Sequence, residues 1–113
     1  MSDCLFCKIA SGEIPSNKAY EDDKVLAFYD LDPQAPVHVL LIPKQHIDSL
    51  AAAQDSDAEL LGYMLLKVRD IAKALELENG YRVVINTGED GGQTIKHMHI
   101  HILGKRSMIW PPG

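Results

Sequence analysis

With 113 residues, the chain is long enough for one compact domain with its own core and too short for two ordinary domains. Apolar residues make up 46% of it and charged residues 24%, as expected of a soluble globular protein. The formal net charge of -5 argues against nucleic acid as a partner, because contact with its backbone needs a basic surface. A small phosphate ligand remains compatible with this charge, since a local cluster of donors can bind an anion within an acidic protein.

The N-terminal segment and the length of the apolar runs indicate the cellular compartment of the protein. No stretch approaches the roughly 18–20 apolar residues of a membrane span, and Met1–Lys8 lacks the basic-then-apolar order of a signal peptide. We therefore expect a cytoplasmic protein with no membrane partner. Cys4 and Cys7 are its only cysteines. A structural disulfide is not expected in a reducing compartment, so this C-x-x-C pair indicates metal binding, redox chemistry or a reduced core pair.

The first third of the chain predicts short elements separated by turn residues. Asp22-Asp23 is a turn signal between two apolar runs, and Pro43 stops a β-branched, leucine-rich run. In chain order the predicted elements are one or two helical turns at Cys4–Ala10, a hairpin of Lys18–Glu21 and Val25–Asp30, and a strand at Val37–Ile42.

One long amphipathic helix follows. Ser56-x-x-Glu59 has the pattern of a capping box, and Asn79-Gly80 supplies a left-handed stop. Apolar residues between them recur every three or four positions and predict a single buried stripe. The stripe consists of Leu61, Met64, Leu65, Val68, Ile71, Ala72 and Leu75.

Two further strands, Tyr81–Asn86 and His97–Leu103, are predicted on either side of the glycine-rich loop Thr87–Thr94. Short connections between most strands favour antiparallel neighbours, so residues 1–113 are expected to form a single α+β domain. Its sheet would have about five strands, covered by one long helix and a short N-terminal helix. One helix covers only part of such a sheet. Together with Trp110 in the C-terminal tail, this suggests a homodimer.

Three histidines in the last strand are the strongest functional signal. Side chains alternate along a strand, so His97, His99 and His101 share one face while Met98, Ile100 and Ile102 share the other. A structural row of histidines is one interpretation. In a second, the row binds a catalytic metal. In a third, one imidazole attacks a phosphorus centre and its neighbours hold the phosphate oxygens.

The loop before this strand favours phosphate. Its glycines allow backbone N–H groups to approach an anion closely, and Gln93 and Thr94 add neutral donors. A flexible hairpin loop would explain a Gly-Gly pair alone. Followed within five residues by the histidine row, the loop is better explained as an anion cradle.

These residues together resemble a known family. His97-Met98-His99-Ile100-His101-Ile102-Leu103 is similar to the histidine triad (HIT) pattern, in which histidines alternate with apolar residues. The resemblance runs from Glu21-Asp22-Asp23 and Pro33-Gln34-Ala35-Pro36-Val37-His38 to Gly91-Gly92-Gln93 and the tail Trp110-Pro111-Pro112-Gly113. It points to the nucleotide-binding branch of that family, the purine nucleoside phosphoramidases, and implies a HIT-like fold.

The resemblance implies a role for each matching residue. His99 would attack the α-phosphorus and become transiently adenylated, with its other nitrogen donating to a carbonyl. His101 would donate to a phosphate oxygen, His97 would share the catalytic face, and His38 would support the nucleophile. Asp30 and the backbone of Leu31 would bind ribose. Asn86, Gly92, Gln93 and Thr94 would surround the phosphate, and Leu5, Phe6, Ile9, Phe28 and Leu31 would line the base pocket.

The resemblance also bears on metal. Catalysis would need no cofactor, but some relatives bind structural zinc through a cysteine pair, a histidine after Pro-Lys-x and the first triad histidine. Here these are Cys4, Cys7, His46 and His97. Two sulfurs and two nitrogens suit tetrahedral zinc.

Two other functions remain open from the sequence. One is a sensor or scaffold that binds AMP without turning it over. The other is a zinc hydrolase that uses the three triad histidines as ligands, for which activity after chelation is the discriminating observation.

Overall fold

A computed structural model describes residues 3–113. Met1 and Ser2, which belong to the segment Met1–Lys8 and to the predicted domain of residues 1–113, lie outside the described residues. The elements are α1 (Leu5–Ala10), β1 (Lys18–Glu21), β2 (Val25–Tyr29), β3 (Val37–Pro43), α2 (Ala58–Ala74), β4 (Tyr81–Val84) and β5 (Ile100–Gly104). Two 3₁₀ turns, Leu50–Ala52 and Asp55–Asp57, lead into α2.

The strands form one antiparallel sheet in the order β1-β2-β3-β5-β4. The predicted α+β class, with a five-stranded antiparallel sheet, one long helix and a short N-terminal helix, is confirmed. Within residues 3–113, no helix is both long and apolar enough to cross a membrane.

The main core lies between the sheet and α2. Helix residues Met64, Val68 and Ile71 pack on the face that carries Met98 and the alternate residues of β5. Met98, Ile100 and Ile102 are all at most 2% exposed, so the predicted core-facing trio is confirmed. Leu65 departs from the predicted stripe, because its side chain is 55% exposed.

A second, smaller cluster covers the opposite face of the sheet. Phe6 and Ile9 of α1 pack on Phe28, Leu40 and their neighbours there. Cys4 is the N-cap of α1, and its Sγ accepts from the backbone N–H of Cys7 at 3.2 Å. The two clusters bury both faces of the central strands, so α1 shields the histidine-bearing face from solvent.

Both ends of α2 differ from the prediction. At its start, α2 begins at Ala58 without a side-chain cap, and a capping box lies instead in the preceding 3₁₀ turn, where the carboxylate of Asp57 accepts from the N–H of Gln54 at 2.9 Å. At its end, the helix stops at Ala74 and not at Asn79-Gly80. Glu76 adopts a φ of 61°, and the N–H of Leu77 reaches back to the carbonyl of Ala72 at 3.0 Å. Burial of Leu77 fixes this earlier end.

The last two strands are shorter than predicted. β4 ends at Val84, and β5 begins at Ile100 instead of His97. In the β3–β5 register Leu41 faces Ile100, which places Pro43 opposite Met98. Proline has no N–H to donate there, so the ladder cannot continue through it. Met98 instead donates its N–H to the carbonyl of Ile47 at 2.7 Å.

Candidate functional site

The histidine row lies on the sheet face covered by α1. His101 is within β5, opposite Leu40 of β3, while His97 and His99 precede the strand. The alternation nevertheless continues, because the ring centroids of His99 and His101 are 5.1 Å apart on the same face. His97 and His99 are buried, and His101 is partly exposed. Of the three imidazoles, His101 therefore presents the most surface to a ligand.

Backbone carbonyls fix the tautomers of His97 and His99. The Nδ1 of His99 lies 2.8 Å from the carbonyl oxygen of His97, which can only accept, so Nδ1 carries the hydrogen and Nε2 carries the lone pair. The Nε2 of His97 lies 2.8 Å from the carbonyl oxygen of Pro43. In His97 it is therefore Nδ1 that carries the lone pair.

His38 and His101 form a hydrogen-bonded pair. The backbone N–H of Gln34 donates to Nδ1 of His38 at 3.0 Å, which leaves the hydrogen of His38 on Nε2. That Nε2 lies 2.9 Å from Nδ1 of His101, so His101 accepts there and keeps its own hydrogen on Nε2. His38 thus contacts His101 directly, and the ring of His101 in turn contacts that of His99, the residue that the resemblance implies His38 supports.

Burial keeps this pair uncharged. Burial lowers the pKa of His101 to about 4, and the neighbouring His99 and His38 add to this by repulsion. Burial also lowers the pKa of His38, although the carboxylates of Asp30 and Asp32 oppose the change. At neutral pH the Nε2–H of His101 is therefore a neutral donor, suited to a phosphate oxygen.

The residues predicted for the base and ribose are placed unequally. Phe6 lies edge-on to Phe28 at 5.5 Å and to His99 at 5.1 Å between centroids, next to the buried Ile9. Leu5 is 42% exposed, and the side chain of Leu31 is fully exposed, so it lines no pocket here.

The carboxylate of Asp30 faces the histidine pair. Its Oδ1 accepts from the N–H of Asp32 at 2.8 Å, and its Oδ2 lies 3.5 Å from Nε2 of His38.

The predicted phosphate loop is braced from within. Asn86 donates its side-chain N–H to the carbonyl of Gly91 at 2.6 Å, and Gly92, with a φ of 77°, donates its N–H to Glu89. Gln93 donates its backbone N–H to Gly88. These N–H groups are engaged inside the loop, whereas the exposed Thr94 lines a cavity of about 460 Å³ that also borders Cys4 and Leu5.

Cys4, Cys7, His46 and His97 converge beside this cavity, and their ligand atoms all lie within 4.8 Å of one another. The Nδ1 of His97 lies 3.3 Å from Sγ of Cys4 and 3.5 Å from Sγ of Cys7. The Nδ1 of His46 lies 3.2 Å from Sγ of Cys7 and 3.2 Å from Nδ1 of His97. Ligand atoms around tetrahedral zinc are separated by about 3.3–3.8 Å, given Zn–N and Zn–S bonds of about 2.0 and 2.3 Å. The donor set and its spacing therefore fit zinc.

Comparison with known proteins decides the family. The HIT domain family matches residues 11–108 of the chain. The chain belongs to the HIT domain family. A "14 kDa zinc-binding protein" of Zea mays is 52% identical over 114 residues, covering 99% of this chain and 89% of that protein.

Solved HIT structures have the same fold. A HIT family hydrolase from Legionella pneumophila is 51% identical with a TM-score of 0.96, covering 98% of this chain and 100% of that one. A histidine triad nucleotide-binding protein from Candida albicans is 35% identical with a TM-score of 0.82, covering 98% and 85%.

Within this HIT domain, the geometry separates His97 from the rest of the row. Its ring turns towards the cysteine pair, while its carbonyl holds His99. The zinc-hydrolase alternative requires the three triad histidines to ligate one metal ion. Among residues 3–113, these histidines do not form such a group.

Several contributors to the site escaped sequence analysis. The carboxylate of Asp48 lies 2.6 Å from Nε2 of His46. Gln34 fixes the tautomer of His38, and the carbonyl of Pro43 fixes that of His97. Gln34 and Pro43 lie within stretches that match the family and Asp48 lies next to one, but no role followed from that position. Two of these partners act through backbone groups that every residue has.

Proposed function

We propose that this HIT protein is a purine nucleoside phosphoramidase that hydrolyses the P–N bond of adenosine 5'-phosphoramidates. The observation that carries the proposal is the fixed tautomer of His99, whose Nδ1 is bonded to the carbonyl of His97 at 2.8 Å. That bond leaves the lone pair of Nε2 for attack and would stabilise the ring once it carries a phosphoryl group.

The reaction would proceed in two displacements. Nε2 of His99 attacks the α-phosphorus, the P–N bond breaks, and the amine leaves after taking up a proton from solvent. Water then attacks the phosphorus of the His99–AMP intermediate, which releases AMP, returns a proton to solvent and regenerates the imidazole. A covalent intermediate divides one barrier into two smaller ones, and no metal takes part.

The surrounding residues would bind and orient the nucleotide. His101, held by His38, donates from Nε2 to a phosphate oxygen, and Thr94 adds a hydroxyl on the other side. Asp30 accepts from the ribose hydroxyls beside the backbone of Leu31. Leu5, Phe6, Ile9 and Phe28 contact the base, while Asn86, Gly92 and Gln93 shape the loop that carries Thr94.

Zinc is proposed as a structural ion, held by Cys4, Cys7, His46 and His97. It would tie the start of α1 to the segment after β3, which carries His46, and to the segment before β5, which carries His97. Four protein ligands leave no open position for water, so the ion supplies rigidity and not chemistry.

A kinetic screen tests the activity. Adenosine and guanosine phosphoramidates are expected to give a kcat/KM at least tenfold higher than dinucleoside polyphosphates, whose leaving group is not an amine. Preferential cleavage of the dinucleotides contradicts the assignment. Tight AMP binding without turnover of any of these compounds would favour the nucleotide-sensor alternative.

We further propose that residues 1–113 form one domain that works as a homodimer in the cytoplasm. Apolar side chains exposed on α2 support this, since Leu65 and Leu66 are 55% and 54% exposed. In the tail, Ile109 and Trp110 are 77% and 82% exposed, while Arg82 donates to the carbonyl of Ile109 at 2.8 Å. A second copy would cover such surfaces.

Light scattering should therefore give about twice the chain mass of 12.5 kDa. Deletion of residues 110–113 should change the ratio of kcat/KM between bulky and small amine leaving groups by several-fold. A monomer at micromolar concentration, or an unchanged ratio, would contradict the respective part of this proposal.

A further inference from the structure

Asp48 accepts two hydrogen bonds, one on its side chain and one on its backbone carbonyl. Its carboxylate lies 2.6 Å from Nε2 of His46, and its backbone carbonyl accepts from the side-chain amide of Gln93 at 2.7 Å. One bond leads to the Cys4–Cys7–His46–His97 cluster and the other to the phosphate loop. We propose that Asp48 is a positioning residue that couples metal binding by the cluster to nucleotide binding by the loop.

The carboxylate orients a ligand of the cluster. Because Asp48 Oδ1 accepts from Nε2 of His46, the lone pair of His46 lies on Nδ1, the atom 3.2 Å from both Sγ of Cys7 and Nδ1 of His97. A carboxylate behind a metal-bound imidazole fixes its tautomer and raises its basicity, and its removal weakens metal affinity about 10–100-fold. This step rests on the proposed zinc site.

The carbonyl acts on the loop through Gln93. The amide of Gln93 donates to the carbonyls of Asp48 at 2.7 Å and Ile95 at 2.9 Å, and its oxygen accepts from the N–H of Gly88 at 3.0 Å. One side chain therefore joins both ends of the loop to Asp48. Gly88 and Gly92 have φ values of 72° and 77°, which glycine adopts without strain, and the contacts of Gln93 add to the hydrogen bonds inside the loop that fix its shape.

Loss of metal would disturb this arrangement from the cluster outward. Without an ion, the lone pairs on Nδ1 of His46 and Nδ1 of His97, 3.2 Å apart, repel each other, and the weakly donating thiols of Cys4 and Cys7 replace the metal as their partners. His46 would turn away, Asp48 would follow its bonded imidazole, and Gln93 would lose its anchor on that side. The loop would then sample conformations that do not match a phosphate.

Coupling of this kind is reciprocal. If zinc raises the affinity for AMP by some factor, AMP raises the affinity for zinc by the same factor. Coupling factors between linked sites are commonly about 5–150. Wild-type protein loaded with zinc should therefore bind AMP at least about fivefold more tightly than the metal-free protein.

The test compares three variants by calorimetric AMP titration and by zinc competition with a chromophoric chelator. Asp48→Ala should lower zinc affinity about 10–100-fold and, at saturating zinc, bring the ratio of AMP affinities with and without metal to about one. Gln93→Glu retains an oxygen acceptor for Gly88 but loses the donor to Asp48 and Ile95. Its zinc affinity should match wild type, because it contacts no cluster residue, while its coupling ratio also falls to about one. Asp55→Ala removes another carboxylate from the segment before α2 and should keep the wild-type ratio.

A wild-type ratio in Asp48→Ala or in Gln93→Glu overturns the proposal, as does equal AMP affinity of zinc-loaded and metal-free wild type. Failure of wild type to bind zinc overturns it together with the zinc assignment, but leaves the phosphoramidase activity standing. Intact coupling without turnover of any phosphoramidate overturns only the proposed activity.

Discussion

Replacement of His99 by alanine or glycine is expected to abolish phosphoramidate turnover while leaving AMP binding largely intact. The lone pair on Nε2 of His99 is the proposed nucleophile, and neither residue offers a substitute. Removal of a catalytic nucleophile lowers kcat by on the order of 10³-fold or more. AMP affinity should change little, because His101, Asp30 and the loop supply the other contacts. Steady-state assays and AMP titrations of the same preparations measure both quantities.

The covalent intermediate offers a second measurement. A phosphoramidate substrate labelled in its adenylate should leave an acid-labile, base-stable label on wild type, and this label should be missing from both variants. Thr94→Ser is the matched control, since it keeps the hydroxyl beside the phosphate and should retain turnover within about tenfold of wild type. Near-normal turnover in His99→Ala or His99→Gly would refute the assignment of the nucleophile.

Periodic patterns in the sequence predicted most of the fold. The three- and four-residue spacing of Met64, Val68 and Ile71 predicted the buried side of α2, and alternation predicted that Met98, Ile100 and Ile102 face the core. Such patterns can be recognised in a sequence because every residue on the buried face of an element is under the same requirement to be apolar. Leu65 shows the limit, since one stripe position can lie at the margin of the contact and stay exposed.

Element ends were predicted less well because tertiary contacts decide them. The helix α2 ends before Glu76, which adopts a φ of 61° although glycine, at position 80, was the expected stop. Burial of Leu77 outweighs the local preference of Gly80. Likewise β5 begins at Ile100 because its neighbour β3 ends at Pro43. Pro43 lies 57 positions before Ile100 in the sequence, so no local pattern around Ile100 could predict this boundary.

The site shows the same division. Alternation predicted the histidine row, and the family resemblance implied the four cluster residues, including Cys4 and His97, 93 positions apart. Neither revealed which nitrogen of each imidazole carries the hydrogen, because the partners are backbone groups of Pro43, His97 and Gln34. Nor did they reveal that Asp48 and Gln93 meet across 45 positions. Such pairs depend on where two loops come together, which no local pattern encodes.

Removal of zinc is expected to lower the melting temperature more than it lowers the initial rate of protein that remains folded. The cluster joins Cys4 and Cys7, at the start of α1, to His46 and His97, while the proposed nucleophile, Nε2 of His99, lies outside it. Structural zinc can contribute on the order of 10 kcal/mol in small peptides, and less where an apolar core already folds the chain. A loss of about 2 kcal/mol would lower the Tm by roughly 10 °C.

The double variant Cys4→Ser, Cys7→Ser tests the same site by another route. It should lose the metal and loosen α1, whose Phe6 packs 5.1 Å from His99 and 5.5 Å from Phe28 between ring centroids. Because α1 covers the proposed base pocket and not the phosphorus, KM should rise by several-fold before kcat changes.

Melting curves and initial rates, recorded before chelation, after it and after metal is restored, separate a structural from a catalytic ion. Zinc should restore the Tm of wild type, whereas calcium should not, because calcium prefers oxygen ligands. Elemental analysis that finds no zinc in protein purified without chelator would defeat the assignment. So would a rate that falls in step with metal content while the Tm stays constant, because His97 would then serve the reaction through the ion and His99 would be a ligand in place of a nucleophile.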